Sequence, residues 1–298
     1  MVRLPAVLAA LLLLLPLALA ARADSLTVDG RERDYVLRLP PGEGPAPLLL
    51  VLHGGGGSGR QIERHSDLTE PALAAGFAVA YPDGVGRQWN DGRADLDART
   101  VREGVDDVAF LLALVDRLAA QGAVDPARVF VTGISNGGIM TFRLLCDAAD
   151  RFAGAVTVVA SLGVEVAGAC VPARPVPLLM LNGTADPLVR YEGGPVVVFG
   201  QSRGSVIPVE NTLALFGAAN FCDDMRPREM PDPAADGVGV EMLVGEGCRV
   251  PTLLVRYLGG GHGWPGKGKA FGRFSEAPIP EAPAANDLIL DFFRPLAR

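Results

Sequence analysis

The feature that most constrains the fold is residues 128–138, RVFVTGISNGG, where β-branched and aromatic residues lead directly into Gly133-Ile134-Ser135-Asn136-Gly137. A Gly-x-Ser-x-Gly pattern between a strand and a helix is typical of a sharp turn that exposes a nucleophilic serine. The flanking glycines leave room for close backbone packing around that turn. Residues 138–146 then carry apolar side chains at helical spacing, which predicts the helix. The pattern favours Ser135 as a catalytic nucleophile over ordinary strand–turn–helix packing.

Predicted strands and helices alternate along the rest of the chain. The strands are expected at 48–52, 76–81, 128–132, 154–160, 176–181 and 252–258, and the helices at 105–121, after Ser135, and at 286–293 with Asn286 as its N-cap. Residues 26–39 alternate around Asp29-Gly30 and predict an antiparallel hairpin at the sheet edge. This order indicates an α/β protein with a mostly parallel central sheet and helices on both faces.

The first 23 residues have the organisation of a secretory signal peptide. They contain an early positive charge at Arg3, an apolar run at 9–15, and small residues before residue 24. Pro16 interrupts the apolar stretch, which is short for a membrane span, so cleavage is favoured over a transmembrane anchor. Residues 24–298 contain no linker-like or repetitive tract and are expected to form a single domain. We therefore expect an extracellular or periplasmic protein that is not held to a membrane after cleavage.

The charge of the chain argues against a nucleic-acid partner. Its net formal charge is −7, and no run of lysine or arginine occurs after the signal segment. An acidic surface repels phosphate backbones. The sequence makes no prediction of oligomeric state.

The four cysteines, Cys146, Cys170, Cys222 and Cys248, are expected to form disulfides because the chain is expected to be exported. Three pairings are possible, and we favour Cys146 with Cys170 and Cys222 with Cys248. The second pair would staple 223–247, a surface segment rich in Pro, Asp and Gly. No metal site is predicted, because no Cys-x-x-Cys pair exists and the chain has only three histidines.

A serine hydroxyl needs a base, and the base needs an acid that orients it. His262 is the only histidine after Ser135 and lies in a glycine-rich loop after the strand at 252–258. Asp186 lies in the loop that follows the strand at 176–181. We therefore expect Ser135, Asp186 and His262 to form a catalytic triad. The alternatives are an incidental loop histidine and a turn aspartate before Pro187.

The oxyanion of an acyl-transfer intermediate needs two backbone N–H donors. Asn136, directly after the serine, would supply one, and Gly54 or Gly55 in the loop after the first central strand would supply the other. That loop also fits the dinucleotide pattern Gly-x-Gly-x-x-Gly from Gly54 to Gly59. Residues 61–70 are polar and poorly periodic, however, so the helix that a dinucleotide site requires is not predicted there. We expect no cofactor.

Six segments occur in a characteristic order, and they are LHGGGGSG, AYPDG, VDDVAFL, VDPARVFVTGISNGG, NGTADPLVRYEGG and GGGHGWPG. Together they resemble the secreted polyhydroxybutyrate depolymerase and feruloyl esterase family, which consists of α/β-hydrolases like those of carbohydrate esterase family 1. The resemblance implies an α/β-hydrolase fold over 24–298 and a triad of Ser135, Asp186 and His262. Asn182 departs from the family, which commonly has a histidine there.

The resemblance implies a secreted serine esterase that hydrolyses carboxylic esters through an acyl-enzyme. Its substrate would be a soluble ester, a polyester oligomer or a feruloylated polysaccharide. The alternative activity is that of an acetyl-xylan esterase or another carboxylesterase. An extracellular ligand-binding protein without turnover is the alternative of another class. Trp89, Tyr191 and Trp264 lie in loops at the carboxyl ends of strands, so they are candidates for a substrate groove, with loop packing equally compatible.

Overall fold

The computed structural model describes residues 24–94, 97–230, 238–268 and 277–298. The expected signal peptide at 1–23 lies outside the described residues. The strands of the described chain are β1 (Asp24–Val28), β2 (Arg31–Arg38), β3 (Ala46–Leu52), β4 (Ala78–Pro82), β5 (Val124–Ile134), β6 (Gly154–Val158), β7 (Leu178–Gly183), β8 (Gly194–Val198), β9 (Gln201–Val206), β10 (Asp224–Glu229), β11 (Gly239–Glu246) and β12 (Thr252–Leu258). The helices are α1 (Gly59–Ser66), α2 (Thr69–Ala74), α3 (Arg99–Arg102), α4 (Asp107–Ala120), α5 (Asn136–Asp147), α6 (Val164–Ala167), α7 (Val209–Ala219) and α8 (Ala285–Phe293).

Ten of these strands form one sheet in the order β1-β2-β4-β3-β5-β6-β7-β12-β11-β10. The six central strands, from β4 to β12, are parallel to their neighbours. Antiparallel strands flank them, with β1 and β2 at one edge and β11 and β10 at the other. The expected mostly parallel sheet and the antiparallel hairpin at its edge are confirmed. The strands β8 and β9 form a separate two-stranded hairpin.

The central strands are largely apolar because both faces of the sheet are covered. Residues 48–52 of β3 have no exposed surface. Successive side chains of a strand point to opposite faces, so Leu50 belongs to the core on one side of the sheet and Val51 to the core on the other. Burial of these alternate faces explains why the strand reads as one continuous hydrophobic run.

Helices complete each of the two cores. On one face, α4, α5 and α7 contribute Phe110, Phe142 and Phe216, and the rings of the last two stack at 5.4 Å. On the other face, α1 and α8 contribute Ile62 and Phe293. The sheet is therefore covered by helices on both sides, and the carboxyl ends of its parallel strands are left to carry loops.

Three local features differ from what the sequence predicts. A helix, α1, does begin in the glycine-rich loop at Gly59, where the side chain of Ser58 accepts the N–H of Gln61 as an N-cap. Ile62 is the only apolar side chain that α1 buries, so the sequence of this helix shows no helical periodicity of apolar residues. Residues 224–229 and 239–246, expected only as a surface segment, form β10 and β11 and extend the main sheet, with β10 largely exposed.

Asn286 is not the N-cap of α8, which is preceded by Ala284. The Asn286 side chain instead accepts the indole N–H of Trp264 at 2.9 Å and donates to the carbonyl of Ser66 at 2.8 Å. It thus joins α8 to α1 and to the loop after β12. In the residues that the structure describes, no helix has both the length and the apolar character needed to span a membrane.

Candidate active site

Ser135 lies on the sharp turn between β5 and α5. Its backbone has φ 55° and ψ −122°, a sparsely populated conformation for a residue with a side chain. The neighbouring backbone is packed too closely for any side chain, because a Cβ on Gly137 would lie 2.4 Å from the carbonyl oxygen of Leu52. A Cβ on Gly133 would lie 2.4 Å from the carbonyl oxygen of Gly137. The two glycines of the motif therefore permit the turn on which Ser135 is presented.

Asp186 and His262 contact each other directly, 76 residues apart in sequence. Oδ2 of Asp186 lies 2.7 Å from Nδ1 of His262, and both side chains are buried. The other carboxylate oxygen accepts the backbone N–H groups of Leu188 at 2.8 Å and Val189 at 3.0 Å. The carboxylate accepts the proton on Nδ1, which leaves Nε2 of His262 as the nitrogen that can accept another.

Backbone contacts hold the loops of these two residues together. The N–H of Ala185 donates to the carbonyl of Gly260 at 3.0 Å, and the N–H of Thr184 donates to that of Tyr257 at 2.9 Å. Gly183 allows this approach, since a Cβ there would lie 2.3 Å from the carbonyl oxygen of Gly260. Because β7 and β12 are parallel neighbours, the loops at their carboxyl ends meet, and the acid reaches the histidine.

The glycine-rich loop after β3 is fixed by His53. Nδ1 of His53 lies 2.8 Å from the carbonyl oxygen of Gly54, and Nε2 accepts the N–H of Gly84 at 3.0 Å. Because Nε2 accepts, the proton is on Nδ1, which donates to Gly54. Burial lowers the pKa of His53, which favours this neutral form. His53 is therefore a structural hydrogen-bonding residue.

Asn136 is held by a buried network from the loop that follows β4. Its Oδ1 accepts the N–H of Trp89 at 2.8 Å, and its Nδ2 donates to the carbonyl of Trp89 at 3.1 Å and to Oδ2 of Asp91 at 2.6 Å. Asp91 is fully buried and also binds the guanidinium of Arg93. The residue after Ser135 is thus tied to a second loop by its side chain, which leaves its backbone N–H at the first turn of α5.

A cavity of about 420 Å³ lies at the carboxyl ends of the central strands. Five of the residues predicted for the site line it, and these are Gly54, Gly55, Ser135, Asn136 and His262. Asp186 is not part of the wall but bonds to three residues that are, through the imidazole of His262 and the backbone N–H groups of Leu188 and Val189. The cavity is therefore lined by a serine hydroxyl, by an imidazole that is paired with a carboxylate, and by the backbone of the glycine-rich loop and of the turn at Ser135.

The rest of the cavity wall was not foreseen from the sequence. The β8–β9 hairpin contributes Val196, Val198 and Arg203, and the loop after β4 contributes Arg93. Phe199, at the tip of the hairpin, also lines the cavity and is 81% exposed. The valine run between glycines at 194 and 200 was a signal for this hairpin, whereas nothing in the sequence distinguished Arg93 from other loop arginines.

The structure does not place Trp89, Tyr191 or Trp264 on the cavity wall. All three are buried, and they pack loops against the core. The indole N–H of Trp89 donates to the carbonyl of His53 at 2.9 Å, and the hydroxyl of Tyr191 donates to Glu210 at 3.0 Å. Their rings are buried and their polar groups are hydrogen-bonded inside the protein. The prediction that these residues form a substrate groove is therefore wrong.

The structure forms the two disulfides that the sequence favoured, Cys146–Cys170 and Cys222–Cys248. The first ties the end of α5 to the segment after α6, and the second ties the end of α7 to the loop before β12. Within the described ranges, no group of three or more His, Cys, Asp and Glu side chains is placed to hold a metal ion.

Comparisons with known proteins agree with this architecture. The model of the prolyl oligopeptidase family matches residues 65–167. The acetyl xylan esterase from Aspergillus awamori superposes with a TM-score of 0.59 at 14% identity, over 88% of this chain and 93% of that chain. At this identity the likeness concerns the fold alone, and the expected α/β-hydrolase fold is confirmed.

The relatives that are similar in sequence include three esterases. The putative esterase NocK of Nocardia uniformis subsp. tsuyamanensis is 37% identical over 82% of this chain and 74% of its own length. Feruloyl esterase C of Emericella nidulans is 30% identical over 80% of this chain and 78% of its own length. Feruloyl esterase B of Piromyces equi is 32% identical over 77% of this chain, and the match spans 42% of that larger protein. The chain therefore belongs to the esterase family of α/β-hydrolases that includes these relatives, and it is a serine carboxylic ester hydrolase.

Proposed function

We propose that Ser135, His262 and Asp186 are the nucleophile, the general base and the orienting acid of this esterase. The observation that carries the proposal is the 2.7 Å contact between His262 and Asp186 beside the cavity that Ser135 and His262 both line. Residues 24–298 form the catalytic domain in this proposal. A hydroxyl and an imidazole held by a buried carboxylate are the groups that nucleophilic acyl transfer requires.

The reaction proceeds in two halves. Nε2 of His262 takes the proton of the Ser135 hydroxyl while Oγ attacks the ester carbonyl carbon. The tetrahedral intermediate collapses, the carbon–oxygen bond to the alcohol breaks, and the imidazolium returns the proton to the leaving alcohol. A water molecule, deprotonated by His262, then attacks the acyl-enzyme, and the acid leaves while Ser135 regains its proton. Asp186 stabilises the imidazolium in both halves.

The proposed oxyanion donors are the backbone N–H groups of Asn136 and Gly55. A trans peptide directs the carbonyl of one residue and the N–H of the next to opposite sides. The carbonyl of Gly54 accepts both Nδ1–H of His53 and the N–H of Gly57, at 2.8 and 3.0 Å. The N–H of Gly55 is therefore directed away from His53. This supports Gly55 rather than Gly54 as the second donor beside Asn136.

The proposed substrates are hydroxycinnamoyl esters such as feruloylated polysaccharide. Two of the relatives are named feruloyl esterases. The cavity of about 420 Å³ is in the size range of pockets that hold whole small molecules, whereas an acetyl group would leave most of it unfilled. The chain acts outside the cytoplasm in this proposal, after removal of residues 1–23, and the two disulfides support an oxidising compartment.

Hydrolysis of methyl ferulate and of soluble 3-hydroxybutyrate oligomers by purified residues 24–298 tests the proposal. We expect ferulate to give the higher kcat/KM and Ser135→Ala to lower kcat by about 10⁴-fold or more. Ser25→Ala, on the edge strand β1, is the matched control that should keep full activity. Preference for the oligomers would overturn the substrate class and leave the mechanism standing. Turnover that survives Ser135→Ala would overturn the mechanism.

A further inference from the structure

Arg93 lines the ester cavity and carries a buried hydrogen-bond donor that has no partner among the described residues. The side chain is almost fully buried, and its Nε and Nη2 bind the carboxylate of Asp91 at 2.6 to 3.1 Å. Asp91 thus occupies one edge of the guanidinium. Nη1 lies at the opposite end, is buried, and has no hydrogen-bond partner among the residues that the structure describes. A buried donor without an acceptor is destabilising. An acceptor oxygen on a bound ligand would remove this cost.

The protein makes room for this side chain with two glycines. A Cβ on Gly163 would lie 2.9 Å from Cγ of Arg93, and a Cβ on Gly204 would lie 2.7 Å from Cβ of Arg93. Gly204 belongs to β9 and Gly163 precedes α6, so two separate segments close around the arginine. The aliphatic part of the Arg93 side chain is therefore enclosed by two segments, and Asp91 holds its guanidinium.

Arg203 adds a second cation to the same wall. This half-buried side chain donates to two neutral acceptors, the carbonyl of Asp97 at 2.7 Å and the side-chain amide of Gln201 at 2.9 Å. No carboxylate lies among the described residues of the wall, which is otherwise formed largely by backbone and apolar side chains such as Val196 and Ile139. Asp91 compensates the charge of Arg93, so the positive charge of the cavity wall is that of Arg203, in a chain whose net formal charge is −7.

We infer that this cavity selects esters that carry a carboxylate remote from the scissile bond, with Arg93 donating Nη1–H to it and Arg203 attracting it. The inference rests on the proposed function and narrows its substrate class, since it requires a free carboxylate that methyl ferulate lacks. It makes Arg93 a specificity-determining residue rather than a catalytic one. Because Asp91 binds both Arg93 and Asn136, a carboxylate bound by Arg93 is also connected through three successive hydrogen bonds to the side chain beside Ser135.

The carboxylate can belong to the acid or to the alcohol of the ester, and paired substrates distinguish the two. The acid arm compares methyl cinnamate bearing a para carboxylate with the same ester bearing a para carboxamide. The alcohol arm compares the butyrate esters of 4-hydroxybenzoate and 4-hydroxybenzamide. Each carboxamide matches the size of its partner and keeps one acceptor oxygen, so the comparison isolates the charge. 4-Nitrophenyl butyrate serves as the reference ester in every variant.

We expect the carboxylate to raise kcat/KM about 10-fold or more over the carboxamide in one arm, mainly through KM. Added salt should reduce this preference. Arg93→Lys, which keeps a cation beside Asp91 but lacks the second guanidinium edge, should lower the preference below about threefold. Arg203→Gln should lower it severalfold, and Arg294→Gln, the matched loss of an exposed charge on the opposite side of the sheet, should leave it unchanged.

Calorimetric titration of Ser135→Ala protein with the same esters measures the difference in affinity between carboxylate and carboxamide without turnover. Equal affinity and equal kcat/KM for carboxylate and carboxamide would overturn the inference, and so would a preference that persists in both Arg93→Lys and Arg203→Gln. If Arg93→Lys does not fold, Arg203→Gln and the salt dependence still decide. If the unsubstituted protein and Ser135→Ala hydrolyse 4-nitrophenyl butyrate at the same rate, the proposed function is contradicted, whatever the titration shows.

Discussion

Nδ2 of Asn136 donates a 2.6 Å hydrogen bond to Oδ2 of Asp91, so the residue after Ser135 is joined to the loop that follows β4. Replacement of Asn136 by Ala removes this bond and the two bonds to the backbone of Trp89. We expect a loss of about 1–3 kcal/mol in the free energy of unfolding, because buried groups lose their partners. The displaced backbone should also lower kcat.

Urea unfolding and steady-state kinetics with 4-nitrophenyl butyrate measure both effects of Asn136→Ala. Asn220→Ala is a matched control, because Asn220 is an equally buried asparagine that bonds to the backbone of Val176, away from the cavity. It should lower stability and leave kcat nearly intact. An equal loss of kcat in both variants would show that Asn136 has no special connection to Ser135.

Replacement of His53 by Ala should lower kcat and leave KM nearly unchanged. His53 orients the carbonyl of Gly54 and thereby the N–H of Gly55, and misplacing one oxyanion donor costs about 10²-fold in kcat. Kinetics on 4-nitrophenyl butyrate measure the effect, with His65→Ala as the histidine control outside the cavity. A His53→Ala enzyme with unchanged kcat would indicate that the Gly55 donor does not depend on this contact.

The stability of the protein should fall when the pH falls below about 6.5. Burial lowers the pKa of His53 in the folded state, and burial also lowers that of His65. The unfolded chain then binds protons that the folded chain does not, between the ordinary histidine pKa near 6.5 and the lower folded value. Full stability is present above this window and is lost through it as the solution is acidified.

Urea midpoints at pH 7.5 and 5.5 measure this dependence. In His53→Gln the difference between the two midpoints should be smaller than in the unsubstituted protein, because one of the two protonation differences is removed. The double variant with His65→Gln should reduce it further. A larger difference in either variant would contradict the assigned direction.

Gly137→Ala should abolish activity and lower the free energy of unfolding by at least about 1–3 kcal/mol. The added Cβ would lie 2.4 Å from the carbonyl oxygen of Leu52 and 2.5 Å from that of His53, and rigid backbone cannot move aside easily. Gly168→Ala is the control, because its nearest contact would be 3.7 Å. Thermal unfolding and esterase assays of both variants provide the comparison. A stable, active Gly137→Ala protein would contradict the close approach of the start of α5 to the end of β3.

Removal of the Cys146–Cys170 disulfide by a double serine substitution should destabilise the protein by about 3 kcal/mol, the value expected for loops somewhat longer than 15 residues. Its two cysteines are separated by 24 positions and join the end of α5 to the segment after α6. Guanidinium unfolding of the variant beside its Cys222–Cys248 counterpart measures the effect. Equal stability of the variant and the parent protein would mean that the bond adds nothing to the folded state.

The sequence predicted the parts of the fold whose causes are local. The strand at 128–132 and the turn at Ser135 could be recognised because β-branched residues and fixed glycines act within a few positions of each other. Asp186 and His262 could be located because each follows a strongly apolar strand. Their 2.7 Å contact depends on β7 and β12 being neighbours, an order that no local pattern states.

The features that escaped prediction depend on tertiary contacts. The helix α1 has one buried apolar side chain, Ile62, and therefore almost no periodicity. Asn286 resembled an N-cap, but its side chain serves Trp264 and Ser66 across the fold. Arg93 is an ordinary charged residue in the sequence, and only the segments packed around it reveal its orientation.

The β8–β9 hairpin gives the cavity part of its wall, yet Ser135, Asp186 and His262 all follow strands of the main sheet. The binding wall and the reactive groups are therefore carried by separate pieces of backbone. Insertions, deletions or substitutions in the hairpin can change which esters enter while the sheet that aligns the reactive groups is preserved. Selection or engineering of new specificities in this scaffold has a natural module in residues 194–206, and divergence among related esterases should concentrate there.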